Sequence, residues 1–140
     1  MNEWKLIKQF RKYFNASKID LRHRHKDESL MGPFAPLIIH INGKPIGCVD
    51  LRKLPGTIDG YVELAYIYMY NEKKGHGSIV LNKICELADL HGLEVELDAV
   101  PIKKLRAPIP KSKLHNFYIK FGFKKSDVQG SNMMTRYPHA

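Results

Sequence analysis

The most informative stretch of the chain is residues 61–90, which reads YVELAYIYMYNEKKGHGSIVLNKICELADL. Its first ten residues are almost all aromatic or apolar, which predicts a central strand, buried on both faces, over residues 61–70. Residues 71–78 form a polar loop that carries two glycines. After this loop the apolar side chains recur at helical spacing, so a helix is predicted over 79–90, with Gly92 as its C-terminal cap.

The loop between this strand and this helix has the composition of an anion-binding site. A helix N-terminus leaves its first backbone N–H groups without partners and carries about half a positive charge. Gly75 and Gly77 allow an anion to approach those amides, and Lys73 and Lys74 add positive charge. The loop is not a nucleotide-binding P-loop, and Val80 stands where the dinucleotide fingerprint needs a third glycine. A pyrophosphate site and a plain glycine turn both remain open on these residues alone.

The preceding sequence predicts a helix, an irregular connection and a hairpin. Apolar residues at helical spacing predict a helix over 3–14. Residues 17–36 are polar and then punctuated by Gly and Pro, which is typical of an irregular connection. Asn42-Gly43 is a strong two-residue turn signal between a strand over 37–41 and a returning strand over 45–54.

The following sequence completes an α/β pattern with a mixed sheet. A strand is predicted over 93–100, and the prolines of 101–111 indicate a stiff connection. Ser112 is the predicted N-cap of a short helix that ends near Phe121. Two closing strands are predicted, over 123–128 and 132–137. Alternation of helices and strands in this order favours one α/β domain.

Length and composition bound the chain as a whole. It has 140 residues, 44% of them hydrophobic, and a formal net charge of +9. This size fits a single domain, 1–140, with a core over 37–137 and an N-terminal helix and connection over 1–36. No apolar run approaches the ~20 residues of a membrane span, and the N-terminus lacks the apolar core of a secretory signal. Cys48 and Cys85 lie in apolar stretches, as buried thiols of a reducing compartment do, so a cytoplasmic protein is expected.

Positive charge is concentrated near the C-terminus. Residues 101–125 hold eight Lys/Arg and no acidic residue, whereas residues 31–100 hold six Lys/Arg and nine acidic residues. Such a run can be simply a solvated surface. It also suits a polyanion, either a coenzyme that carries several phosphates or a nucleic acid.

A second segment links the glycine loop to a known family. Residues 117–123 read FYIKFGF, about forty residues after the loop and beyond one more predicted strand. The pair of segments resembles the GNAT superfamily of acyl-CoA N-acyltransferases. That family has a Q/R-x-x-G-x-G/A loop after its fourth strand, which Gly75 and Gly77 match. It also has F-Y-x-K-x-G-F where its last long helix meets the sixth strand, and residues 117–123 match this motif at every fixed position.

The resemblance covers about residues 37–137 and implies a single GNAT-like domain, with a mixed, mostly antiparallel central sheet flanked by helices. Two positions depart from the family pattern. Glu72 stands at the Gln/Arg position of the loop, and Lys111 stands where the family often has an asparagine in contact with the coenzyme.

The activity implied by this resemblance is transfer of an acetyl group from acetyl-CoA, as co-substrate, to a primary amine by direct attack. The implied cofactor-binding residues lie along the fourth strand and in the loop: Ile67, Tyr68, Met69, Lys73, Lys74, Gly75, His76, Gly77 and Ser78. Tyr118 occupies the family's general-acid position, where it would protonate the departing thiolate. Its other interpretation is a core tyrosine at helical spacing with Phe117 and Phe121.

The base that deprotonates the amine is less clearly marked in the sequence. Glu63 lies on the fourth strand and, by strict alternation, shares a face with Ala65 and Ile67. A carboxylate in an apolar strand suits a base, and it equally suits an ion pair. The lesser candidates are Tyr66, Asp50 and His115, and a water relay is a further alternative.

The sequence gives weaker indications of a metal site and of the acceptor. His23 and His25 have no ligand partners at metal spacing, so no metal site is expected. The acceptor is open among a protein lysine, a protein N-terminus, a polyamine, an amino sugar and an aminoacyl-tRNA.

A non-catalytic basic module that binds nucleic acid or an acidic partner through 101–125 is the alternative function. No membrane partner is expected, and a homodimer is one option for the oligomeric state.

Overall fold

A computed structural model describes residues 2–18, 35–71, 74–100 and 110–139. Within these ranges the chain forms three helices: α1 (Asn2–Tyr13), α2 (His76–His91) and α3 (Lys111–Ile119). The strands are β1 (Ser17–Lys18), β2 (Leu37–Ile41), β3 (Lys44–Arg52), β4 (Tyr61–Met69), β5 (Glu94–Asp98), β6 (Lys124–Lys125) and β7 (Met133–Arg136).

The seven described strands form one sheet in the order β1-β2-β3-β4-β5-β7-β6. Neighbouring strands are antiparallel except β4 and β5, which are parallel. The predicted mixed, mostly antiparallel sheet is therefore confirmed, with β4 as its middle strand. The parallel pair requires a crossover, and α2 supplies it.

The β2–β3 hairpin follows from its turn residues. Asn42 and Gly43 have φ values of 52° and 77°. Positive φ at both central residues matches the twist of the flanking strands, and Asn-Gly is the pair that tolerates it best. The predicted Asn42-Gly43 turn is confirmed.

A register shift in the β3–β4 ladder changes which side chains of β4 enter the core. Asp50 pairs with Tyr66 and Leu51 pairs with Leu64, so Ala65 has no partner in the register. Before this bulge Val62 and Leu64 belong to the core cluster. An extra residue reverses the alternation of faces.

Two expectations about β4 are corrected by this bulge. Beyond it the residues that pack with the core are Ile67 and Met69, so Ile67 lies on the face opposite Glu63 rather than on the same face. The strand is also not buried on both faces, because Glu63 and Tyr68 are only half-buried. One face of β4 packs in the core, and the other carries polar and aromatic side chains.

The core lies between the sheet and the two longer helices, which contact each other. The helical core residues include Leu6, Ile7 and Phe10 of α1 and Val80, Leu81 and Ile84 of α2. The predicted C-terminal cap of α2 is confirmed, since Gly92 has φ 66° and the Leu93 N–H donates to the Ala88 carbonyl at 2.9 Å.

The boundaries of two predicted segments differ from the structure. Ser112 is not the cap of α3, because that helix begins at Lys111 and Leu114 N–H already donates to Pro110 O at 3.0 Å. Ser17 and Lys18 pair with β2, so the predicted irregular connection begins later than residue 17. The rest of that connection and most of the proline-rich one, residues 19–34 and 101–109, lie outside the described residues.

Both cysteines are free and buried, as predicted. Burial raises the pKa of the Cys85 thiol to about 11, which keeps it protonated and poorly nucleophilic at neutral pH. Among the described residues no helix is long and apolar enough to cross a membrane. The same residues contain no group of His, Cys, Asp and Glu arranged to hold a metal ion.

Candidate active site

The N-terminus of α2 presents backbone donors that have no acceptor within the helix. Gly75 is the N-cap, with φ 71°, and it supplies no side-chain acceptor. The first bond of the helix is from Ile79 N–H to Gly75 O, at 3.3 Å. The amides of His76, Gly77 and Ser78 therefore have no acceptor within the helix, and its first turn carries no acidic side chain. The helix begins three residues earlier than predicted, which places Gly77 and Ser78 in its first turn.

A lysine and an imidazole nitrogen add to the polar character of this end of α2. Lys74 is exposed directly before the cap. Nδ1 of His76 is buried and has no hydrogen-bond partner among the described residues. A cavity of about 330 Å³ adjoins this end and is lined by the hairpin turn and by Asn71, Lys74 and His76. These groups favour an anion, whereas Glu72 and Lys73 lie outside the described residues.

The second half of β4 runs beside this helix end with one edge unpaired. The β4–β5 ladder ends at the Leu64–Leu97 pair, while the β3–β4 ladder continues to Met69. The chain after β5 follows β7 instead, since Ala99 N–H donates to Asn132 O at 2.9 Å. The edge of Ile67, Tyr68 and Met69 towards β5 thus has no ladder partner among the described strands, and its backbone groups can bind an extended ligand.

Phe117 of α3 closes the space between α2 and β4. A Cβ atom built on Gly77 would lie 3.5 Å from Phe117 Cζ and 3.8 Å from Met69 Cγ. The Phe117 ring in turn contacts Tyr118, at 5.5 Å between centroids. Phe117 therefore lies near both sequence motifs, with Gly77 and Met69 on one side of its ring and Tyr118 on the other.

Tyr118 packs in the hydrophobic core. Its ring contacts Phe123 at 5.6 Å between centroids, and only 5% of its surface is exposed. Burial raises the pKa of Tyr118 to about 12, so its hydroxyl is a proton donor throughout the neutral range. Its packing agrees with the interpretation as a core tyrosine, and its role as general acid stays a prediction.

A group of carboxylates occupies the opposite face of the sheet from Ile67 and Met69. Glu63 is half-buried and is paired in register with Arg52 on one side and Glu96 on the other. Arg52 forms an ion pair with Asp50, and its charge also interacts with that of Glu63. Burial raises the pKa of Glu96, and the negative charges of Glu94 and Glu63 raise it further.

Glu96 is a candidate site residue that the sequence interpretation missed. The sequence did contain an indication of it, because Glu94, Glu96 and Asp98 alternate with apolar residues and so share one face of a short strand. Only the parallel register of β4 and β5 places Glu96 beside Glu63. A carboxylate with a raised pKa beside a second carboxylate is a recurrent arrangement for acid–base chemistry.

Of the three lesser candidates for a base, Asp50 and His115 are engaged in hydrogen bonds, and Tyr66 is buried. Asp50 accepts a hydrogen bond from the Ala35 N–H at 3.0 Å as well as binding Arg52. His115 is buried and its Nε2 donates to the Ala99 carbonyl at 3.1 Å. Burial raises the pKa of Tyr66 to about 12.

No family model matches the sequence. No curated protein matches it either. Solved structures do match. Ard1 from Thermoplasma volcanium has a TM-score of 0.52 and 15% identity over 95% of this chain and 93% of that one.

Gcn5 from Tetrahymena has a TM-score of 0.51 and 17% identity over 74% of this chain and 68% of that one. The anti-CRISPR protein AcrVA5 has a TM-score of 0.51 and 22% identity over 64% of this chain and 88% of that one. The chain therefore has the fold of the GNAT acetyltransferases, which confirms the expected architecture.

Proposed function

We propose that this chain is an N-acyltransferase that moves an acetyl group from acetyl-CoA to a primary amine by direct attack. The observation that carries the proposal is the glycine-capped N-terminus of α2 beside an edge of β4 that has no ladder partner among the described strands. The GNAT fold supports it, because an acyl-CoA-dependent acetyltransferase is the general activity of proteins with that fold.

The residues at this end of α2 fit the diphosphate of the coenzyme. The amides of His76, Gly77 and Ser78 would bind it, and Lys73 and Lys74 would add charge. The buried, unpartnered Nδ1 of His76 supports a polar ligand here, because such atoms in proteins are nearly always hydrogen-bonded. Glu72, at the usual Gln/Arg position of the family, opposes the binding of an anion and is outweighed by these groups.

The extended arm of the coenzyme would follow the backbone of Ile67, Tyr68 and Met69. The bound co-substrate supplies an activated acyl thioester. Backbone donors along this edge would orient its carbonyl group, and donors aimed at an oxyanion are among the largest contributors to acyl transfer. Tyr118 is the proposed general acid, because its hydroxyl stays protonated and its ring contacts Phe117, which lies near Gly77.

The proposed base is Glu63, assisted by its neighbour Glu96. An amine attacks only in its neutral form, so a carboxylate or a water bound to one must accept its proton. Two carboxylates side by side stabilise one shared proton, and the raised pKa of Glu96 supports this use. Because they lie on the face opposite Ile67, the acceptor amine is expected to approach from that face.

Glu63→Gln is expected to lower kcat/KM about 100-fold at pH 7, since general-base catalysis contributes about that much. Glu96→Gln is expected to lower it about 10-fold. The matched control is Glu94→Gln, on the same strand as Glu96. Rates equal to wild type in both Glu63→Gln and Glu96→Gln would remove the carboxylates from the mechanism and leave a water relay.

Release of free coenzyme A thiol is the direct assay of the proposed function. Purified protein and acetyl-CoA are incubated with one acceptor at a time: a lysine peptide, a free peptide N-terminus, a polyamine, an amino sugar and an aminoacyl-tRNA. Amine-dependent thiol release with one class would support the proposal and name the acceptor. No release above background with any class would contradict it.

A second candidate function rests on the surface of α3 and β6. Its five lysines are all exposed: Lys111, Lys113, Lys120, Lys124 and Lys125. Such a surface suits a phosphate backbone, either as the site of a non-catalytic basic module or as a platform for an RNA-linked amine. Salt-sensitive retention of RNA without any thiol release would favour the non-catalytic module.

A further inference from the structure

Arg136 of β7 is a buried cation that joins the C-terminal half of α2 to the rest of the fold. Its two Nη atoms donate to the two carboxylate oxygens of Asp89, at 2.8 and 3.0 Å. The Arg136 side chain is 5% exposed. A two-pronged pair of this kind fixes the plane of the guanidinium group as well as its position.

The same guanidinium group binds the turn that follows Tyr118. Nε of Arg136 donates to the Phe121 carbonyl at 2.7 Å. The Phe121 N–H donates to the Tyr118 carbonyl at 3.0 Å, and Phe123 N–H donates to that carbonyl at 3.3 Å. A continuous chain of hydrogen bonds therefore runs from Asp89 through Arg136 and Phe121 to the backbone of Tyr118.

Gly122 leaves room for this arrangement. Its φ is 92°, a conformation that side chains rarely adopt. A Cβ atom there would lie 3.2 Å from the His139 ring and 3.5 Å from Arg136 Nε. The His139 N–H also donates to Asp89, at 2.8 Å. The positive φ thus requires the fixed glycine of the FYIKFGF segment, and the His139 ring is the neighbour that a side chain there would crowd.

We propose that Arg136 and Asp89 are positioning residues that hold Tyr118 at the reacting atoms. This inference rests on the proposed role of Tyr118 as proton donor. The hydrogen bonds of the pair reach the Tyr118 carbonyl, so its effect passes through the main chain. Asp89 lies 13 residues along α2 from His76, about 20 Å at 1.5 Å per residue, so the coenzyme site is remote from the pair.

Arg136→Gln is expected to lower kcat about 10-fold or more, because a displacement of about 1 Å at a catalytic group has effects of this size. The KM for acetyl-CoA is expected to change by less than about two-fold, since the diphosphate site is untouched. Arg136→Lys is expected to recover part of kcat through a single donor to Phe121. Glu86→Gln is the control, because it removes the other ion pair of α2, with Lys83, on its exposed side.

The Tyr118 ring resonance in NMR, with isotope-labelled tyrosine and assignment by Tyr118→Phe, reports position without turnover. One ring environment is expected in wild type and in Glu86→Gln, and a shifted or exchange-broadened one in Arg136→Gln. All variants are measured well below their melting temperatures. If Arg136→Gln does not fold, Asp89→Asn is measured in its place, because it also weakens the pair. An unchanged resonance, or an unchanged kcat, would make the pair merely structural. Absence of turnover in wild type would instead refute the proposed function, while the resonance still decides the positioning role.

Discussion

Tyr118→Phe is expected to lower kcat about 10- to 100-fold and to leave the Kd for acetyl-CoA unchanged. The substitution removes one hydroxyl and keeps the ring that packs against Phe117 and Phe123. A hydrogen bond to a charged group is worth about 1.5–3 kcal/mol, which converts to a rate effect of this size.

Steady-state rates at saturating acetyl-CoA and calorimetric Kd values measure the two halves of this prediction. Tyr61→Phe is the matched control, because it removes a hydroxyl from the start of β4. Equal kcat values for Tyr118→Phe and wild type would make Tyr118 a core residue only. A large loss of coenzyme affinity would instead show that the hydroxyl or the ring helps to hold the coenzyme.

Ser78→Asp is expected to move stability and coenzyme affinity in opposite directions. Ser78 lies in the first turn of α2, which has no acidic residue. An aspartate there interacts favourably with the helix dipole, so the free protein is expected to gain about 0.3–1 kcal/mol. The same charge repels a diphosphate a few ångströms away by about 3 kcal/mol, which raises the Kd for acetyl-CoA about 100-fold.

Thermal unfolding with and without acetyl-CoA measures both effects in one series. Ser78→Asn is the control, because it has nearly the same shape and no charge, and it is expected to bind acetyl-CoA far better than Ser78→Asp does. If Ser78→Asp binds the coenzyme as tightly as Ser78→Asn does, the diphosphate is not held at this helix end.

Local sequence signals predicted much of the fold. Asn42-Gly43 specifies a hairpin turn because few other residue pairs tolerate positive φ twice. Gly92 ends α2 because its positive φ is a conformation that glycine adopts readily. Gly75 and Gly77 lie at the start of a helix and the segment over 117–123 lies at the end of one, as the two motifs imply. The sequence alone therefore suggested the α2 N-terminus and Tyr118 as candidate site features.

Features that depend on pairing between distant residues could not be predicted. The bulge at Ala65 arises from the register of β3 against β4, and it reverses the faces of every later residue of β4. The pairing of Glu63 with Glu96 requires the parallel register across a crossover. The contact of Arg136 with Asp89 joins residues 47 positions apart. No periodicity within one element contains this information.

Calorimetric titration of the protein with acetyl-CoA tests the central claim most directly. A single site with micromolar affinity is expected, and at 100-fold excess over Kd the coenzyme should add about 2.7 kcal/mol to the free energy of unfolding. Ser78→Asp should abolish most of the heat, whereas Tyr118→Phe should leave it unchanged. A titration of the wild-type protein that shows no heat and no shift in melting temperature would contradict the account, because the α2 N-terminus would then hold no coenzyme.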